Sequence, residues 1–238
     1  MAPIRKSARR RQLEELAVEI SECRACPRLV AWREEVATRA LPAYAGEEYW
    51  ARPLAGFGDP EARLVVIGLA PAAHGGNRTG RMFTGDRSGD FLVAGLHEHG
   101  FATRATSLCR DDGLELKNAF LTAPVRCAPP DNKPLTSERD ACISYLEREL
   151  ALLPRASVYL ALGAYAFDAV KRVRWMRGRL QGERFCHGGL FTLERPDEER
   201  GPDHVLCTYH PSQRNVFTGL LTAEMFSEIL SRAEELLS

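Results

Sequence analysis

No stretch of the 238-residue chain stays apolar for the roughly 18–20 residues that a membrane-spanning helix requires. No apolar segment follows the basic start MAPIRKSARRRQLEEL either, which excludes a secretory signal. Acidic Glu14, Glu15 and Glu19 come too early for an organelle transit peptide. Net charge is also missing, since 32 Lys and Arg balance 32 Asp and Glu. Any case for nucleic-acid binding therefore rests on local patches and motifs. No repeat, low-complexity run or linker divides the chain. One domain over residues 1–238 is expected, with residues 1–10 as a flexible basic N-terminus. The seven cysteines are an odd number in a chain too long to need a disulfide scaffold. A cytoplasmic, monomeric protein with reduced thiols is the expectation, and there a CxxC pair points to metal before disulfide.

Buried strands and amphipathic helices alternate along the chain. Residues 8–22 read as a helix, with Leu13, Leu16, Ala17 and Ile20 on one face. Pro27 is expected to stop it. Residues 40–62, rich in proline, read as a long ordered loop. Arg63–Leu69 (RLVVIGL) is short, apolar and β-branched, which suits a strand covered on both faces. Further strands are expected at Ala119–Val125, Val158–Leu162 and Val205–Tyr209. Helices are expected near Phe91–Gly100, capped by Ser88 or Asp90, and at Ser137–Leu153, after Gly163, and at Thr222–Leu237. This alternation predicts an α/β fold with a parallel sheet. The loop after the first strand, Ala70–Gly80, is Gly-rich and stands where such folds bind ligands.

Four cysteines carry a second pattern. Cys23 and Cys26 have CxxC spacing at a helix end, and Cys127 and Cys142 bracket a Pro-rich loop and a helix start. Four thiolates suit a structural zinc or an iron–sulfur cluster. The separation of about 100 residues between the pairs is long for a zinc ribbon, which favours the cluster. Cys109, Cys186 and Cys207 read as packing residues.

Three segments together resemble the family 5 (UDGb-type) uracil-DNA glycosylases. They are GLAPAAHGGNRTGRMFTGD (Gly68–Asp86), LTAPVRCAPPDNKP (Leu121–Pro134) and HPSQRN (His210–Asn215). The resemblance runs from Cys23 to the last helix. It implies a three-layer αβα sandwich around a four-stranded parallel sheet, and a prokaryotic DNA-repair enzyme acting at the nucleoid. It also implies a [4Fe–4S] cluster held by Cys23, Cys26, Cys127 and Cys142. Its substrate is single- or double-stranded DNA carrying a damaged base.

Such an enzyme must flip its nucleotide out of the stack. It must then support a sugar that becomes cationic and a base that leaves with negative charge. The turn holding Gly68, Leu69, Ala70 and Ala72 can aim backbone N–H groups at a base oxygen. Phe83 is the stacking partner that the resemblance implies, or else a core phenylalanine. His210, at a strand end, is the donor to the leaving base. Asp86 is the carboxylate placed to support water or the sugar cation, its alternative being a helix cap. Asn132 is a second polar candidate, or a turn residue.

The departures from related families are informative. Ala70 replaces an Asp or Asn that activates water elsewhere, and Leu69 replaces a family 4 glutamate. Ala123 replaces the family 4 asparagine that reads the uracil edge. A pocket without that hydrogen-bonding side chain discriminates less, so hydroxymethyluracil, hypoxanthine and xanthine join uracil as expected substrates. A strict family 4 uracil glycosylase and a non-catalytic DNA-damage binder are the competing readings. For the DNA backbone the candidates are Arg78, Arg81 and Arg87 around the first motif, with Ser212, Gln213, Arg214 and Asn215 in a loop entering the groove. Residues 171–184 hold six basic and one acidic residue, and are either a backbone track or a surface hairpin tip. Residues 194–203 and 224–238 are acidic.

Overall fold

The computed structural model describes residues 8–194 and 201–238. The basic residues 1–7 and most of the acidic 194–203 stretch lie outside the described residues. Within the rest, a six-stranded sheet runs in the order β1-β3-β2-β4-β6-β5. Its strands are β1 (Phe57–Gly58), β2 (Leu64–Ile67), β3 (Ala119–Thr122), β4 (Val158–Leu162), β5 (Leu190–Thr192) and β6 (His204–Thr208). The four expected strands are β2, β3, β4 and β6, and they pair in parallel as expected. Two short antiparallel strands, β1 and β5, extend the sheet at its edges. β1 and a 3-10 turn at Pro42–Tyr44 break up what reads in sequence as a continuous loop over 40–62.

The helices are α1 (Ala8–Ser21), α2 (Pro27–Thr38), α3 (Gly76–Thr79), α4 (Arg87–Glu98), α5 (Thr136–Ala151), α6 (Ala164–Arg172), α7 (Gln213–Phe217) and α8 (Ala223–Leu237). α2 is not expected from sequence. α1 ends at Ser21, before Pro27 is reached, and Pro27 instead stands in the first turn of α2, where its missing N–H costs nothing and its fixed φ suits a helix. The cap of α4 is Asp86, whose side chain accepts from the Gly89 amide at 2.9 Å, rather than Ser88 or Asp90.

Strand residues alternate between two cores. Leu64, Val66, Leu160, Leu162 and Leu206 face one side, where Leu92 and Leu96 of α4 and Phe226 and Leu230 of α8 cover them. Val65, Ile67, Tyr159, Ala161 and Val205 face the other, covered by Leu146 and Leu150 of α5 and Phe167 and Val170 of α6. This is the expected three-layer sandwich, its parallel strands apolar on both faces. The chain leaves β2 for β3 on one side and reaches β4 on the other. That reversal makes the carboxyl end of β2 the switch point where open α/β sheets bind ligands.

The basic stretch 171–184 begins in the last turn of α6 and leads toward β5. α6 runs back from the carboxyl edge, and Arg179 donates to the carbonyl of Glu194, just past the end of β5 that pairs with the start of β6. Lys171 donates to the Glu183 carbonyl. The stretch bonds to itself on the surface, and its last residues lead into Phe185, which packs on Tyr209 just past β6.

Candidate active site

Four loops leave the carboxyl edge together, after β2, β3, β4 and β6. The Gly68 amide still belongs to the sheet and donates to the Thr122 carbonyl at 2.8 Å. It cannot serve as a donor to a ligand, which corrects the expectation for that residue. The next amides differ. Among the described residues no hydrogen bond engages the N–H groups of Leu69, Ala70, Ala72 or Ala73. The role of Gly68 is space: a Cβ there would come within 2.5 Å of the Phe83 ring. Phe83 takes a left-handed φ of 49°, rare for a bulky residue and a form of strain that concentrates at functional sites. Its half-buried ring packs against Ala123, Met82 and Leu54. Gly68, Phe83 and Ala123 thus build one apolar floor. Ala70 turns away from it, toward Leu29, Val125 and Cys127.

Asp86 joins both of its sequence readings. It caps α4, and its other carboxylate oxygen presses on Gly75 of the first motif, where no Cβ has room. Burial raises its pKa above the ordinary 3.8, against the lowering effect of the Gly89 and Ser88 amides. Gly75→Ala is therefore expected to displace the carboxylate and to lose about 1 kcal/mol of cap. A lower Tm together with reduced activity is the expected pair of readings; a fully active, equally stable variant would separate Asp86 from the motif loop.

His210 lies two residues beyond β6. Its Cβ stands close over Gly163, at the end of β4, where φ is 87° and a side chain would crowd it. Asn215 Nδ2 donates to the His210 carbonyl at 2.9 Å. No group among the described residues hydrogen-bonds the ring, and burial pushes its pKa down to about 4. The imidazole is neutral at physiological pH. Asn132, on the loop after β3, is exposed on a 3-10 turn at Pro130–Asn132 with φ 54°.

The arginines of the first motif are mostly engaged inward. Arg81 is buried and grips Asp112 with two hydrogen bonds of 2.9 and 2.7 Å, while also reaching Ser107 and Thr84. Phosphate contact is withdrawn for Arg81. Asp112, in turn, is held well below the usual carboxylate range despite its burial, through Arg81 and the Leu108 and Leu114 amides. Arg78 bonds the carbonyls of His74 and Gly85, pairs with Glu47 and stacks 4.0 Å over Tyr44. It staples the loop instead of facing DNA. Ser212 caps α7 and Asn215 clamps His210, so both position the loop. Arg87, Gln213 and Arg214 remain exposed. α7 also ends in Phe217, 87% exposed, an outward aromatic that sequence reading misses because it lies past the motif. Another omission is His74, whose Nδ1 meets the Tyr49 hydroxyl at 2.9 Å and which fixes the loop from within the motif itself.

Cys23, Cys26, Cys127 and Cys142 all line one small cavity beneath these loops. Cys26 is the residue before α2, and Cys142 projects from α5. Arg33, 2% exposed, donates to the Cys127 Sγ at 3.0 Å and to the Cys23 carbonyl. Burial pushes the thiol pKa of Cys127 up to about 11 and that of Cys142 up to about 12. Among the described residues no three Cys, His, Asp or Glu side chains converge as a single metal ion needs. Arg126, also lining the cavity, is 1% exposed, and its guanidinium pairs with the Glu149 carboxylate at 2.8 Å, leaving Nε and Nη2 without a hydrogen bond. Cys109 and Cys186 are exposed, while Cys207 is buried in the sheet, as packing requires.

The Uracil DNA glycosylase superfamily matches this chain over residues 55–234. A type-5 uracil-DNA glycosylase of Thermus thermophilus is 51% identical over 91% of this chain and 94% of its own. One of Mycobacterium leprae is 46% identical over 94% and 95%. The chain belongs to the type-5 uracil-DNA glycosylase family. A type-4 uracil-DNA glycosylase of Thermotoga maritima is more distant, at 28% identity over 66% of this chain and 68% of its own. The superfamily match begins after Cys23 and Cys26, and covers all three motifs together with Cys127 and Cys142. Among the described residues no helix is long and apolar enough to cross a membrane.

Proposed function

We propose that this type-5 family member is a monofunctional hydrolase that removes uracil from DNA, acting as a monomer. The observation that carries the reading is the site at the β2 switch point. There an apolar floor of Gly68, Phe83 and Ala123 lies beside unpaired amides, with a neutral His210 and a half-buried Asp86 on the loops that frame the same edge. Phe83 stacks on the flipped base. The electron pair of the C1′–N bond leaves with the base, and the amides of Leu69, Ala70, Ala72 and Ala73 with His210 donate to the oxygen that gains charge. Burial destabilises the Asp86 carboxylate, so a cationic sugar beside it relieves that cost as the bond breaks. A water oxygen adds to C1′, and the proton it releases neutralises the departed base. Arg87, Gln213, Arg214 and Phe217 form the outward surface toward the duplex.

Ala123 offers no side-chain hydrogen bond, so the floor excludes few bases. Hydroxymethyluracil, hypoxanthine and xanthine join uracil in the proposed range. The four cysteines would hold a [4Fe–4S] cluster. Their arrangement around one cavity, with the buried cation Arg126 at its wall and Arg33 on the Cys127 sulfur, suits an anionic cluster better than a point ion. Bound there, the cluster supplies a structural tie between α2, α5 and the loop after β3.

An oligonucleotide with a single uracil, treated with alkali after incubation, tests the activity. Strand breakage at the uracil is expected, and none with protein in excess would leave only a binding protein. Release of hypoxanthine is the test of the wider range, and its absence would return the enzyme to strict uracil use. Protein purified without oxygen is expected to be brown, with a broad band near ~400 nm. A colourless, zinc-loaded preparation would overturn the cluster.

A further inference from the structure

The geometry points to His187 as a positioning residue that sets the backbone turn carrying His210. His187 lies on the loop before β5, opposite the end of β6. The ladder there runs Gly188 N–H to the Cys207 carbonyl and Cys207 N–H to the Gly189 carbonyl. The next donor of β6, the Tyr209 amide, leaves the backbone pattern. It donates instead to Nδ1 of His187 at 3.2 Å, and the Thr208 hydroxyl meets the same nitrogen at 3.3 Å. The imidazole stacks on the Tyr209 ring, with centroids 4.8 Å apart and planes 4° from parallel. Two residues on either side of one peptide are thereby held by a single ring, immediately before His210.

That arrangement has a chemical requirement. A nitrogen that accepts from an amide carries no proton, so the proton of neutral His187 stands on Nε2. Protonating the ring removes the acceptor and releases the Tyr209 amide. Asn215 clamps the other side of His210 through its carbonyl, so His187 is the counterpart of that clamp. α8 supplies the charges around the ring. Glu228 favours the protonated form, opposing burial, which favours the neutral one. Arg232 donates to the neighbouring Gly188 carbonyl at 3.0 Å and holds the loop against the sheet. Among the described residues His187 therefore acts through Tyr209, and the Tyr209–His210 turn is where its protonation state is felt.

The inference rests on the uracil-excision reading, so wild-type excision is established first; its absence would fail that reading and not this one. Single-turnover excision of uracil from a duplex is then followed from pH 5 to pH 8 for His187→Phe and His187→Asn. Phenylalanine keeps the stacking on Tyr209 without the acceptor, and asparagine restores an acceptor. His187→Phe is expected to lower the excision rate about 10- to 100-fold at pH 8, with DNA binding unchanged, and the deficit narrows toward pH 5 as the wild type loses its acceptor. His187→Asn is expected to recover most of that rate at pH 8 and to lose the decline of the wild type toward pH 5. Wild-type rates and pH profile in both variants would overturn the proposal. So would equal losses in both variants with the wild-type pH profile retained, since that pattern belongs to packing alone.

Discussion

His210→Ala is expected to lower the rate of uracil excision by about 10²–10³ while DNA binding holds, the loss typical of one donor aimed at developing negative charge. The imidazole is worth that much because it is prepared before the reaction. It is neutral, with its pKa pushed down to about 4 by burial alone, and it makes no competing hydrogen bond among the described residues. A neutral donor gives little to a neutral base and more to one that leaves as an anion, so the loss should fall on the chemical step and spare affinity. Stability should move the opposite way at low pH. The folded state holds His210 unprotonated down to about pH 4, whereas the unfolded chain binds its proton near 6.5. Stability tied to this residue is therefore full above the unfolded pKa. It declines as pH falls from 6.5 toward 4, by an amount on the order of 3 kcal/mol. His210→Ala should flatten that part of the stability profile in urea unfolding at pH 4.5 to 7. Wild-type excision rates in the variant would remove His210 from the chemistry. An unchanged acid dependence of stability would show that the buried imidazole is not what titrates.

The parts of this molecule that were legible in sequence are those whose signal is local. β2, β3, β4 and β6 announce themselves as short, mostly apolar runs because both faces of each are covered, so no polar alternation interrupts them. β1 and β5 are two and three residues long, half exposed at the sheet edges, and carry no such run. α2 was hidden by Pro27, since a proline expected to end one helix can equally begin the next. The motif loop, the strand-end histidine and the CxxC pair were readable from residue type and spacing. Whether an arginine faces water was not. Arg81 and Arg87 lie six residues apart in one glycine-rich segment. Arg81 is buried because Asp112, 31 residues on, receives it, while Arg87 is exposed at the start of α4. Nothing near Arg81 in sequence announces that partner. Asp86 was readable as a cap or a site residue, and only the closeness of Gly75 shows one side chain doing both.

The second large effect belongs to the base of the site. Arg126 and Glu149 form an ion pair at 2.8 Å with side chains 1% and 2% exposed. Glu149 also accepts from the Gly56 amide and the Thr122 hydroxyl, both at 2.6 Å. Thr122 is the residue whose carbonyl holds Gly68, and the Arg126 carbonyl holds the Leu54 amide beneath Phe83. One buried carboxylate thus fastens the β1 edge, the end of β3 and the wall of the cysteine cavity. Glu149→Ala strands the guanidinium in a dry interior and leaves two donors without a partner. A loss of about 3–5 kcal/mol is expected, read as a lower urea midpoint with unchanged slope. Arg126→Met should cost less than Glu149→Ala, because the carboxylate keeps its two hydrogen bonds when the cation is gone. The double variant Arg126→Met, Glu149→Gln should recover much of the loss, since the glutamine oxygen still accepts and no charge remains buried. If Glu149→Ala cost less than about 1 kcal/mol, the value typical of an exposed pair, water would have to reach this pair and the anchoring of the site would lie elsewhere. If the double variant were no more stable than Glu149→Ala, the penalty would come from lost packing and not from a stranded charge.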